Sequence, residues 1–121
     1  MNDSPSERLV IGHATSADPR FAVVAVSGEL DLGTAESLWP HLELALASDP
    51  VDVVVLDATE LDFMDSSGLR VLLSAARLAR SERRTAALRI VAPHPVVQRV
   101  LDLAGARHAL DLRQSLAEAL T

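Results

Sequence analysis

Apolar residues in this chain fall into short solid blocks and longer spaced runs, and the two kinds alternate. Leu9 to Ala14 and Phe21-Ala22-Val23-Val24-Ala25-Val26 are blocks of strand length, separated by the turn-favouring pair Asp18-Pro19. Strands joined by so short a turn predict an antiparallel start to a sheet. Ala35, Leu38, Leu42, Ala45 and Leu46 then recur at helical spacing, with Thr34 placed as an N-cap. Pro40 leaves two starts open. From Thr34 the proline lies one turn inside and removes a hydrogen bond; from Ser37 it falls in the tolerated first turn.

Val51 to Asp57 is a β-branched block that predicts a central strand, apolar on both faces apart from Asp52. Leu69 to Arg84 is rich in Leu, Ala and Arg and predicts a long helix. Ala86 to Ala92 predicts a fourth strand, stopped by Pro93. Pro95 opens a helix and Gly105 closes it, with Val96, Val97, Val100, Leu101 and Ala104 as its apolar face. His108 to Leu112 fits a short last strand, and Ser115-Leu116-Ala117-Glu118 has the form of a capping box. The order β-β-α-β-α-β-α-β-α describes an α/β domain with a mixed sheet. Residues 1–7 read as a flexible polar tail and 8–121 as one domain without repeat or linker.

The seam between central strand and long helix is Phe63-Met64-Asp65-Ser66-Ser67-Gly68-Leu69. Ser66 and Ser67 fall at the first turn, where a hydroxyl can accept from orphan backbone N–H groups. That place also sits at the positive end of the helix dipole, which favours an anion on the serine oxygen. The same residues fit a plain N-cap followed by a glycine that lets the chain turn. On the long helix Leu69, Leu72, Leu73 and Ala76 share one face, with Ala75 and Ala79 beside them. Val71 and Leu78 widen the apolar arc to roughly 220°, where burial commonly needs only about 100°. Either the neighbouring helix covers the surplus or part of it docks another protein. Arg70, Ser74, Arg77 and Ser81 mark the solvated side.

Composition removes several alternatives. The net charge is −6 and no basic stripe occurs, so nucleic-acid binding is disfavoured. Without cysteine there are no disulfides or thiolate metal sites. The N-terminus has no apolar signal core and no eighteen apolar residues run together, which predicts a cytoplasmic protein without membrane insertion. Aromatics are confined to Phe21, Trp39 and Phe63, so the core must be Val, Leu and Ala; all eleven cationic side chains are Arg.

Catalytic and metal chemistry find little support. Asp57, Asp62 and Asp65 flank a strand end as in an acidic phospho-acceptor pocket, but such a pocket needs a lysine and the chain has none. A Gly-x-Ser-x-Gly elbow is missing, and His13, His41, His94 and His108 show neither a base position nor an i, i+4 pair. His94 fits a helix terminus and Trp39 the core or its rim. These features predict a non-enzymatic protein with no metal and no cofactor.

FMDSSGL at 63–69, SGELD at Ser27 to Asp31 and the element order together resemble STAS-domain anti-sigma factor antagonists, over nearly the whole chain from Leu9 to Leu120. The resemblance implies a mixed sheet with helices packed mainly on one side. It also implies a partner that is at once anti-sigma factor and serine kinase, phosphorylation at Ser66, and a phosphoserine phosphatase that reverses it. Partner-binding residues implied on this basis are Asp31 and the turn Asp65, Ser66, Ser67 and Gly68, to which the surplus apolar arc of the long helix adds Val71, Ala75 and Leu78. Pro40 in the first helix stands apart from the pattern. Two other readings accompany it: a STAS scaffold or subunit of a stressosome-like or transporter-associated complex, and a small-ligand-binding STAS domain. Oligomeric state, the cognate kinase and the sigma factor are not encoded in any of these motifs.

Overall fold

Alternation of buried and exposed residues lays down the sheet, and the helical runs cover it. In a computed structural model, which describes residues 8–81 and 86–121, the strands are β1 (Leu9–Thr15), β2 (Phe21–Leu30), β3 (Val53–Met64), β4 (Ala87–Val91) and β5 (Leu112–Arg113). The helices are α1 (Ala35–Leu46), α2 (Ser66–Ala79), α3 (Pro95–Leu103) and α4 (Leu116–Ala119). The sheet runs β1-β2-β3-β4-β5; β1 pairs antiparallel with β2 and every other pairing is parallel. The expected tail at 1–7 and residues 82–84 of the expected long helix lie outside the described residues; within them that helix already ends at Ala79, with Arg80 as its C-cap, short of the expected Arg84.

One face of the sheet carries the main core. Val24, Leu30, Leu56, Leu61, Met64 and Ile90 meet Leu38 and Leu42 of α1, Leu72 of α2 and Leu101 of α3 there. On the opposite face Val23, Val55 and Val91 are covered by Ala119, Leu116 and Leu120 around α4. Three helices on one side against one short helix on the other is the expected one-sided packing.

Several boundaries differ from the sequence expectation for physical reasons. β3 continues to Met64 rather than stopping at Asp57, because its polar second half pairs with Ser27–Leu30 of β2. The pairing shifts register around Ser27 to Glu29, and Gly28 sits there at φ 104°. A Cβ on Gly28 would stand 2.1 Å from the Arg8 carbonyl oxygen, so only glycine fits this crossing. α1 starts after Thr34, not at Ser37, and keeps Pro40 inside it. α2 begins at Ser66, ahead of Leu69. His108 lies in a 3-10 turn (Arg107–Ala109), and the last strand is reduced to Leu112–Arg113. At α4 the Ser115 hydroxyl accepts from the Glu118 N–H as a capping box predicts, but the Glu118 carboxylate reaches the N–H of Gln114 instead of Ser115.

Candidate functional site

Because β2 and β3 are parallel and Leu30 lies opposite Met64, both strands end at the same edge of the sheet. Their next residues, Asp31 and Asp65, therefore come together although 34 positions separate them in the sequence. Each carboxylate is tied into its own turn. Asp31 Oδ1 accepts from the N–H groups of Gly33 (2.9 Å) and Thr34 (3.1 Å), and Oδ2 pairs with Arg8 at 3.0 Å. The Thr34 hydroxyl donates to the Glu29 carbonyl at 2.8 Å and accepts from the Asp31 N–H at 2.9 Å. Thr34 is thereby fully paired although buried, and its hydroxyl serves this knot rather than capping α1.

Asp65, not a serine, caps α2. Its Oδ1 accepts from the N–H groups of Ser67 (2.8 Å) and Gly68 (3.2 Å), while Oδ2 accepts from Leu32 N–H at 3.3 Å. The Asp65 N–H also donates to the Leu30 carbonyl at 3.2 Å. One carboxylate thus satisfies two orphan donors of a helix and fastens the loop between β2 and α1 to it. A capping serine was the sequence expectation. The acid takes over because it sits one residue earlier, at the non-helical N-cap position (φ −114°, ψ −169°).

Gly68 is likewise not there to turn the chain. It is buried inside the first turn of α2, where an added Cβ would stand 2.7 Å from the Leu30 carbonyl oxygen and 2.8 Å from Cγ of both Leu30 and Met64. Its role is close approach of the helix to the ends of β2 and β3.

Ser66 is left over from this wiring. It occupies the first position of α2, is exposed, and makes no side-chain hydrogen bond among the described residues. Ser67 is half-buried, with its N–H committed to Asp65. Around Ser66 two large apolar side chains face water: Leu32, 79% exposed and anchored through its N–H to Asp65, and Phe63, 41% exposed. Neither stands out in the sequence pattern as part of the site. A leucine between Asp31 and Gly33 in a tight turn, where polar residues are the norm, was the signal available.

The flank of α2 needs correction. Ala75 is fully buried and Gly68 is buried too, so neither offers surface to a partner. Val71 and Leu78 are only half-exposed and pack against the main core. The neighbouring helix and sheet thus cover most of the wide apolar arc, leaving Arg70 and Arg77 outward. Asp57 and Asp62 do not join Asp65. Asp57 stands eight residues back along an extended strand, about 26 Å at 3.3 Å per residue, and accepts from the N–H of Thr59. Among the described residues no cluster of three or more metal-ligating side chains occurs, and no helix is long and apolar enough to cross a membrane. His94 caps α3, accepting from the Val96 N–H. His13 and His41, unrelated by spacing, meet across β1 and α1 with ring nitrogens 2.8 Å apart.

A mixed sheet with this element order, and an aspartate-capped helix presenting a free serine at the edge where two parallel strands end, define the class. The STAS domain family model matches residues 14–119, and the chain belongs to the STAS-domain anti-sigma factor antagonists. It is 32% identical to an anti-sigma F factor antagonist of Paenibacillus polymyxa, over 82% of this chain and 83% of that one. It is 31% identical to the anti-sigma-F factor antagonist RsfB of Mycobacterium tuberculosis, over 83% of this chain and 79% of that one. A crystal structure of an anti-sigma factor antagonist from Mycobacterium paratuberculosis superposes with a TM-score of 0.74 at 27% identity, covering 91% of each chain.

Proposed function

We propose that this chain is an anti-sigma factor antagonist: it binds an anti-sigma factor that is also a serine kinase, releases a sigma factor, and is switched off by phosphorylation of Ser66. The supporting observation is the Ser66 hydroxyl itself, exposed and unengaged among the described residues, beside an Asp65 carboxylate whose two oxygens are both committed. On this reading the chain is no enzyme but the substrate of one, working in the cytoplasm, and a phosphoserine phosphatase resets it. No cofactor is required.

The switch follows from charge and burial. Unmodified, the apolar pair Leu32 and Phe63 gives a partner surface to bury around an uncharged hydroxyl. Phosphorylation adds about −1.5 to −2 charge at that point. The dipole of α2 and the Ser66 N–H can accept the charge without any change of fold, since the side chain already points outward. Docking instead would have to strip water from a dianion lying next to the Asp65 carboxylate. A loss of about 3–4 kcal/mol weakens binding by about two to three decades. Asp31 acts as a positioning residue in this scheme, because its carboxylate shapes the turn that carries Leu32.

Incubation with the anti-sigma kinase and Mg-ATP, followed by mass spectrometry of the peptides, tests the assignment. The expected result is one phosphate, on Ser66, absent in Ser66→Ala. A phosphate on Ser67 alone, or none with an active kinase, would refute it.

A further inference from the structure

We propose that His13 and His41 form a two-imidazole site for a divalent transition ion of the zinc or copper class, joining β1 to α1 away from the Ser66 turn. His13 Nε2 and His41 Nδ1 face each other at 2.8 Å, with ring centroids 5.0 Å apart and ring planes inclined by 36°. Two nitrogens bound to one tetrahedral ion at about 2.0–2.1 Å stand about 3.3 Å apart. The rings therefore need to part by only about half an ångström to admit an ion, and His13 is exposed enough to do so.

Proton placement also fits. As a direct pair, one of the two facing nitrogens must carry the shared hydrogen. The outer nitrogens, His13 Nδ1 and His41 Nε2, have no hydrogen-bond partner among the described residues. Each can hold its proton towards water, which turns both inner lone pairs towards one point while both rings stay neutral. The scaffold is firm: His13 lies in β1 opposite Val24, and His41 lies in the middle of α1. The local charge favours a cation. Neither β1 nor α1 carries an arginine, whereas α1 carries Glu36 and Glu43, and the chain as a whole is at −6. Since no third protein ligand joins the pair among the described residues, water fills the remaining positions. Copper(II) should bind more tightly than zinc or nickel.

The test is a calorimetric titration of the full chain with copper(II) near neutral pH, with electron paramagnetic resonance to count coordinating nitrogens. The expected result is one ion per chain with two imidazole nitrogens. Second-sphere partners alone are worth about ten- to a hundred-fold in metal affinity, so His13→Asn and His41→Asn should each weaken binding by about tenfold or more. His108→Asn should change nothing. Broadening of histidine ring resonances by substoichiometric copper in the unaltered protein needs no variant, and it should appear first at His13 and His41. Single-nitrogen coordination, broadening centred on His94 or His108, or unweakened binding by either folded variant would overturn the site.

Discussion

Two strand-to-helix junctions in this molecule are built alike and end differently. At β3–α2 the cap is Asp65 and the first helical residue is Ser66; at β4–α3 the cap is His94 and the first helical residue is Pro95. In both, a side chain in extended backbone accepts from the helix's orphan N–H groups. His94 does only that. Asp65 spends its second oxygen on Leu32, so the turn between β2 and α1 is held to the tip of α2. The first helical position then decides what the surface can do. Proline fills the place of a missing donor and presents no reactive group, whereas Ser66 presents a hydroxyl with nothing to bond to. The cap is structural at both junctions; only one has a chemical handle beside exposed apolar side chains.

That contrast can be broken from the inside. The third residue of α2 is Gly68, buried against Leu30 and Met64, while the third of α3 is the buried Val97. Gly68→Ala should cost about 2–3 kcal/mol in thermal or denaturant unfolding, because its Cβ would meet a backbone oxygen that cannot move aside. The cross-link should show as a difference between caps. Asp65→Ala should lose about 2 kcal/mol and free Leu32, whereas His94→Ala should lose only about 0.5 kcal/mol. Equal losses at the two caps would mean that the Leu32 tether contributes nothing.

The smallest effect lies far from either junction, in the turn between β1 and β2. The Arg20 side chain hydrogen-bonds Asp18, and its N–H adds to the effect; together they lower the Asp18 carboxyl from 3.8 to about 2. A depressed carboxyl contributes stability above its ordinary value and loses it as pH falls through the folded one. Carbon NMR should therefore place the Asp18 midpoint near 2, with the pair's contribution fading below about pH 4. Arg20→Gln should return that midpoint towards 3.8 without touching partner binding.

How much of this could be read in advance depends on how local each signal is. The strand blocks, the Pro95-to-Gly105 helix and the exposed serine turn rest on neighbouring residues and were legible. The cap of α2 falls one residue ahead of the serine that the pattern suggests, because aspartate and serine compete for the same role. The reach of β3 beyond Asp57 was hidden, since Thr59, Glu60 and Asp62 are polar and their pairing is a property of β2 and its Gly28 bulge. Ala75 looked available on a helical wheel and is sealed by packing that no single helix encodes. The nearness of Asp31 to Asp65 came from family resemblance, and the meeting of His13 with His41 from the fold alone.

The switch is tested most directly by titrating the unmodified chain, its Ser66-phosphorylated form and Ser66→Ala into the anti-sigma kinase by calorimetry, with circular dichroism to follow the fold. Ser66→Ala should bind like the unmodified chain. The phosphorylated form should bind about two to three decades more weakly, with an unchanged spectrum. Equal affinity for the phosphorylated and unmodified chains, or no binding by a folded Ser66→Ala, would contradict the account.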